Sequence, residues 1–116
     1  MKTTKKIKIP IYDFTVYVTI FDKWEEVIKY YTSNKEIERE GFTLVNNLDV
    51  NTLKFYVNVE CPSCIIHEII HIKNIIFDII GYHPNSEYDE PEAYLVQYLY
   101  KEIFNVYNKH KDNAKK

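Results

Sequence analysis

The sequence has almost no net charge. Its 15 basic residues stand against 17 acidic ones, a formal charge of −2. The lysines concentrate at the two ends, in MKTTKKIK and NKHKDNAKK. Without a global basic field, the composition predicts neither nucleic acid nor a membrane surface as a partner.

Long apolar runs are also missing. The densest one, Ile65 to Ile80, is interrupted by six polar residues, which excludes a membrane span. The basic start leads into IKIPIYDF, which is short, broken by Pro10 and followed by charge, so we expect no signal peptide. We therefore expect a cytoplasmic location.

Cysteine is scarce, with only Cys61 and Cys64. In a chain without an export signal we expect both to be reduced thiols. The pair stands after a predicted strand and at the start of a predicted helix, where a thioredoxin-like pair would lie. Thiol–disulfide exchange is therefore one alternative function, but no strand is predicted beyond Ser63 to supply the proline loop of such proteins.

Hydrophobic periodicity predicts one α+β domain over residues 1–116, in the order β-β-α-β-β-α-α. Residues 7–20 alternate as β-structure. Asp22 is a predicted N-cap, with Glu25 three residues later. The helix that follows it has four residues on one face: Trp24, Val27, Ile28 and Tyr31.

Strands are predicted at 42–45 and 53–59, joined by a turn, and the open face or edge of the second could bind an extended peptide. A helix runs from about Ser63 to Ile80 and stops at Gly81, and a second long helical pattern covers 93–107. We expect an antiparallel or mixed sheet of about four strands packed on these helices. Residues 1–6 and 109–116 are predicted to be flexible tails.

His67 and His71 carry the clearest chemical signal. Four residues apart on a helix, their side chains lie on one face about 6 Å apart at Cβ, close enough to bind one tetrahedral cation. Glu68 lies beside that face, where a carboxylate can accept a proton from a water bound to the metal. The pattern predicts a Zn²⁺ site.

A catalytic zinc needs a third protein ligand. Four residues in or after the next loop are candidates: His83, Asp89, Glu90 and Glu92. Glu90 begins the returning helix, with eighteen residues between it and His71. We expect Glu90 and Ala93 to face the first helix, where a small side chain allows close approach, and Glu92 to point away into solvent.

HEIIH followed by EPEAY resembles the gluzincin pattern, an HExxH motif on one helix and a glutamate on the next. The chain also resembles small phage and prophage-borne metallopeptidases through IPIYDFTVYV, HEIIHIKNIIFDIIG and DEPEAYLVQYL. This resemblance implies a zincin-like domain and a zinc-dependent peptidase in a bacterial host cell. It also implies that His67, His71 and Glu90 are zinc ligands and that Glu68 is the general base.

Other interpretations remain open from sequence. A non-catalytic zinc protein, such as a phage assembly or host-interaction factor, could share the motif, and Cys64 could join the two histidines in a closed site. Asn74 and Asp78 continue the histidine stripe and could orient a ligand imidazole. Four tyrosines near the site could stabilise an oxyanion: Tyr82, Tyr88, Tyr94 and Tyr98. The expected substrate is a peptide or protein, and the sequence does not predict the oligomeric state.

Overall fold

The computed structural model describes residues 1–28, 39–45 and 51–114. Four strands and two long helices follow in chain order: β1 (Lys2–Ile9), β2 (Phe14–Phe21), β3 (Gly41–Val45), β4 (Thr52–Asn58), α1 (Ser63–Ile80) and α2 (Glu90–Ala114). Short 3-10 helices cover Pro10–Tyr12 and Trp24–Glu26. The predicted α+β class, with a four-stranded sheet and two helices, is confirmed.

The sheet is mixed, in the order β1-β2-β4-β3. β1 pairs antiparallel with β2, β2 runs parallel to β4, and β3 pairs antiparallel with β4. The idea that the edge of residues 53–59 could receive a peptide is wrong, because β4 is hydrogen-bonded on both sides. Among the strands that the structure describes, β3 is the edge on that side.

Alternation in β2 and β4 builds one face of the core. Val16, Val18 and Ile20 are fully buried, and so are Leu53, Phe55 and Val57 of the parallel neighbour. Both helices pack on this face, α2 over β1 and β2, and α1 over β3 and β4. The opposite face carries a smaller aromatic cluster that includes Trp24 and Phe42.

The predicted helix after Asp22 is, in the described residues, only the 3-10 turn Trp24–Glu26. The Glu26 carboxylate accepts hydrogen bonds from the backbone N–H groups of Asp22 and Lys23, at 3.2 and 2.9 Å. Trp24 and Val27 are buried as expected. Ile28 is half-buried and packs against the aromatic cluster. Tyr31 lies within residues 29–38, and the turn between β3 and β4 within residues 46–50, both outside the described residues.

α1 begins and ends close to the predicted residues. Its stripe of Ile65, Ile69, Ile72 and Ile76 is fully buried, as the helical period requires. Gly81 has φ 77°, and the N–H groups of Gly81 and of the next residue bond back to carbonyls of the last turn. This Schellman motif ends the helix because glycine adopts the left-handed conformation without a Cβ clash.

The predicted N-terminal tail is wrong, since residues 2–9 form β1, and residues 109–114 continue α2. All eight residues of β1 pair antiparallel with β2, and the imidazole of α2 that reaches this strand is that of His110. It is fully buried, with Nδ1 2.8 Å from Thr3 Oγ1 and Nε2 2.7 Å from Asp22 Oδ1. The hydrogen bond from His110 is the largest cause that holds the pKa of Asp22 below its usual range. These contacts join the first strand to the last helix.

No helix among the described residues is long and apolar enough to cross a membrane.

Candidate metal centre

His67 and His71 lie on the solvent side of α1, opposite its buried isoleucine stripe. Their Nε2 atoms are 3.3 Å apart and their rings are nearly perpendicular, at 71°. Two imidazole nitrogens bound to one tetrahedral zinc, at about 2.0–2.1 Å each, would be about 3.3 Å apart. The pair therefore has the separation that a shared cation requires, although a hydrogen bond between two imidazoles has a similar length.

Glu68 lies in the wall beside the two histidines. Its side chain is 7% exposed, against 70% for His67, and Oε2 is 3.9 Å from His67 Nε2. The other oxygen, Oε1, accepts a 2.8 Å hydrogen bond from the hydroxyl of Thr43 on β3. The carboxylate is thus fixed through one oxygen while the second oxygen faces the histidines.

The close approach of β3 to α1 depends on Gly41. A Cβ at this position would lie 3.2 Å from Cys64 Cβ and 3.4 Å from Glu68 Cγ, closer than side chains normally pack. Gly41 directly precedes the strand predicted at 42–45, and the local sequence pattern does not reveal this contact. Its role, and that of Thr43, depends on the helix that packs above the strand.

Among the described residues, His67, Glu68 and His71 form a group whose ligand atoms lie within 4.8 Å of one another. That group includes none of the four residues considered as third ligand. His83, Asp89 and Glu90 are exposed, and Glu92 is half-buried. The ligand role of Glu90 stays a prediction from the resemblance, and the geometry does not support it.

The expected orientation of the second helix is wrong. Glu92, which was expected to point into solvent, forms an ion pair with the buried ammonium of Lys73 on α1. Glu92 precedes the buried Leu95 by three residues and shares its face of the helix. Glu90 precedes Glu92 by two residues and therefore lies about 200° away from Glu92 around the helix. Glu90 and Ala93 are both exposed.

The angular positions of the residues on α1 also separate α2 from the histidines. Lys73 follows His71 by two residues, so its side chain leaves α1 about 200° away from that of His71. Since Glu92 pairs with Lys73 and shares a groove with Ile70, the first turn of α2 lies beside α1 on the side of these two residues.

The other predicted contributors lie outside the group. Asn74 and Asp78 are exposed on α1. The hydroxyls of Tyr82 and Tyr98 donate to the backbone carbonyls of Tyr88 and Lys8, at 3.0 and 2.7 Å. Tyr88 and Tyr94 are exposed by 69% and 66%.

The expectation of reduced thiols is wrong for this structure, in which Cys61 and Cys64 form a disulfide. While the bond is intact, Cys64 cannot join the histidines as a ligand, because a disulfide sulfur is not a thiolate. One open cleft of about 850 Å³ is lined by both cysteines together with Glu40, His67 and Glu68.

No protein-family model, curated protein or solved structure matches this chain.

Proposed function

We propose that the chain is a zinc-dependent peptidase in which His67 and His71 bind the metal and Glu68 is the general base. The observation that carries the proposal is the 3.3 Å separation of the two Nε2 atoms beside a carboxylate oxygen at 3.9 Å. Two imidazoles and an adjacent carboxylate are the donor set that metal-dependent hydrolysis uses. The bacterial cytoplasm remains the expected location, on the strength of the resemblance alone.

Zinc, when bound, lowers the pKa of a coordinated water to about 7 and polarises a carbonyl. The chain's own contribution is the placement of Glu68. Thr43 holds Oε1, so Oε2 accepts the proton of the attacking water and returns it to the leaving amine. Burial of Glu68 keeps this carboxylate in one position while the exposed histidines leave room for substrate.

The edge strand β3 supports a peptide as the substrate. β3 carries Thr43, the residue that holds Glu68, and its only strand neighbour among the described residues is β4. An extended peptide adding to the other edge of β3 would form main-chain hydrogen bonds there. Its scissile bond would then pass over the histidine group.

A non-catalytic zinc protein is the second candidate. Glu68 belongs to the group of atoms within 4.8 Å, and Glu90 does not. If Glu68 were the third ligand, the site would be a His-Glu-His zinc site with no base left for hydrolysis.

The substitution Glu68→Gln separates the two candidates. We would measure bound zinc and cleavage of a peptide library for the native chain, Glu68→Gln and a control, Asp78→Asn, which removes a carboxylate from the same helix outside the group. The peptidase proposal expects Glu68→Gln to keep zinc and lose cleavage, and Asp78→Asn to keep both. Loss of zinc in Glu68→Gln, with no cleavage by the native chain, would establish the non-catalytic site.

Glu90→Ala tests the remaining part of the resemblance. If Glu90 completes the site, zinc affinity falls by at least about tenfold, because even partners outside the metal's own ligands are worth about 10- to 100-fold. The geometry described above predicts no such change. His67→Ala should abolish zinc binding in the same titration.

A further inference from the structure

A second set of potential ligand atoms lies at the start of α1. The carboxylate of Glu40 and the sulfurs of Cys61 and Cys64 lie within 4.8 Å of one another. We propose that reduction of this disulfide opens a second cation site, in which both thiolates and Glu40 bind a soft divalent cation such as zinc. The proposal does not depend on the hydrolytic function above.

The ligand spacing matches that of known zinc chemistry. Two cysteines separated by two residues are the commonest pair in structural zinc sites, and thiolate and carboxylate both bind zinc. Two sulfurs on one tetrahedral zinc would be about 3.8 Å apart, given zinc–sulfur bonds of about 2.3 Å. The Cα atoms, 5.4 Å apart, need not move, since rotation of the two side chains can separate the sulfurs.

Backbone hydrogen bonds hold the three ligand positions together without help from the disulfide. The N–H of Asn58 donates to the carbonyl of Glu40 at 2.7 Å. The N–H of Cys61 donates to the carbonyl of Asn58 at 2.9 Å, and that of Cys64 to the carbonyl of Cys61 at 3.0 Å. The end of β4 therefore links Glu40 to both cysteines, and this framework persists when the sulfur–sulfur bond breaks.

The site is accessible to reductant and metal. Both cysteines are half-buried and Glu40 is exposed, and all three line the open cleft that they share with His67. Two thiolates and a carboxylate would together carry a net charge of −3, and a bound divalent cation would change the net charge of the group to −1. The reduced pair therefore has an electrostatic reason to bind a cation.

The redox step balances with a dithiol reductant. The bond between the two sulfurs breaks, each sulfur gains a hydrogen, and the two thiols of the reductant become its disulfide. Cation binding then releases the two protons from the thiols. A disulfide oxidant reverses the sequence: its two sulfurs take up two electrons and two protons and become thiols, the bond between the two cysteine sulfurs re-forms, and the cation is released.

The experiment counts zinc bound per chain, by equilibrium dialysis, with and without a phosphine reductant that has no thiol of its own. Four chains are compared: native, Cys61→Ser with Cys64→Ser, His67→Ala with His71→Ala, and Ser86→Ala as a control at an exposed serine outside the cleft. Reduction should add one zinc to the native, histidine-substituted and Ser86→Ala chains, and none to the cysteine-substituted chain.

The histidine-substituted chain separates this proposal from the peptidase proposal. Zinc in the oxidised native chain tests the histidine site, whereas zinc that the histidine-substituted chain gains on reduction tests the cysteine site. No gain in that chain would overturn the second site. A gain in the cysteine-substituted chain would overturn it as well.

Cobalt gives a second readout that needs no cysteine substitution. The reduced native chain should show the near-ultraviolet charge-transfer band of thiolate–cobalt bonds, and the oxidised chain should lack it. Glu40→Gln should weaken zinc binding to the reduced histidine-substituted chain by at least about tenfold, and Glu60→Gln should leave it unchanged. Cobalt–thiolate absorption that vanishes with His67→Ala would indicate a single mixed site and refute a separate one.

Discussion

The two glutamates in the first turn of α2 offer a matched test of how this helix is oriented. Glu92 pairs with Lys73, and their side chains are 30% and 11% exposed, whereas Glu90 is exposed. Replacing Glu92 by alanine leaves the Lys73 ammonium without this partner in a mostly dry position. Replacing Glu90 by alanine removes an exposed carboxylate from the first turn of the helix, where the dipole favours a negative charge.

The expected magnitudes differ clearly. Removing one partner of a buried ion pair costs about 3–5 kcal/mol, and the partial exposure of Glu92 lowers our expectation to about 2–3 kcal/mol. Both substitutions lose the favourable dipole term of about 0.3–1 kcal/mol, which is all that Glu90→Ala should cost. The free energies of unfolding should therefore differ by about 2 kcal/mol between the two variants.

Urea unfolding followed by circular dichroism measures this difference. With a slope of about 2 kcal/mol per molar, Glu92→Ala should unfold at about 1 M less urea than Glu90→Ala. The double variant Lys73→Met with Glu92→Leu should recover much of the lost stability, because no unpaired charge remains buried. Equal losses for the two glutamates, or a larger loss for Glu90→Ala, would refute the orientation of α2 described here.

Three further predictions concern other parts of the chain. The pKa of Asp22 is depressed in the folded state, so the contribution of Asp22 to stability is complete above about pH 5 and is lost as the pH falls through about 4 and below. In a plot of unfolding free energy against pH, Asp22→Asn should therefore lose less stability at acid pH than the native chain. An equal loss in both chains would contradict the role of the His110 contact. Gly41→Ala should lower the free energy of unfolding by about 1–3 kcal/mol through overpacking against α1, which urea unfolding measures, and an unchanged stability would contradict the close contact. Thr43→Val should retain zinc but slow peptide cleavage by about tenfold or more, because Glu68 loses the hydrogen bond that orients it; an unchanged cleavage rate would contradict that orienting role.

The helix α1 was predictable because the sequence features that define it are local. Isoleucines at helical spacing and a glycine stop fix where α1 begins and ends, and the spacing of His67 and His71 then places both imidazoles on one face. The strand alternation similarly fixed which residues of β2 and β4 are buried. None of these inferences needed the position of another element.

The resemblance to gluzincins was not enough to predict which face of α2 is buried. The motif directs attention to Glu90, but the apolar stripe that begins at Leu95 and Leu99 puts Glu92 on the buried face. That signal was present in the sequence. The position of Lys73 as the partner was not, since it depends on which side of α1 the second helix crosses.

Two other features depend on contacts that local pattern cannot show. Cys61 and Cys64 have one spacing that suits thiols, a disulfide or metal ligands, so the sequence alone cannot select among them. The lysine-rich first residues resemble a solvated tail, whereas in the structure they pair with β2 and Thr3 contacts His110, 107 positions later.

The contact between Thr3 and His110 can form only after the ribosome has made nearly the whole chain. At about 5–20 residues per second, the ribosome needs about 5–20 s to make the chain between them. During that interval the apolar face of β2 has no α2 to cover it. A nascent chain, or one truncated before α2, would therefore present Val16, Val18 and Ile20 to chaperones and to other unfinished chains.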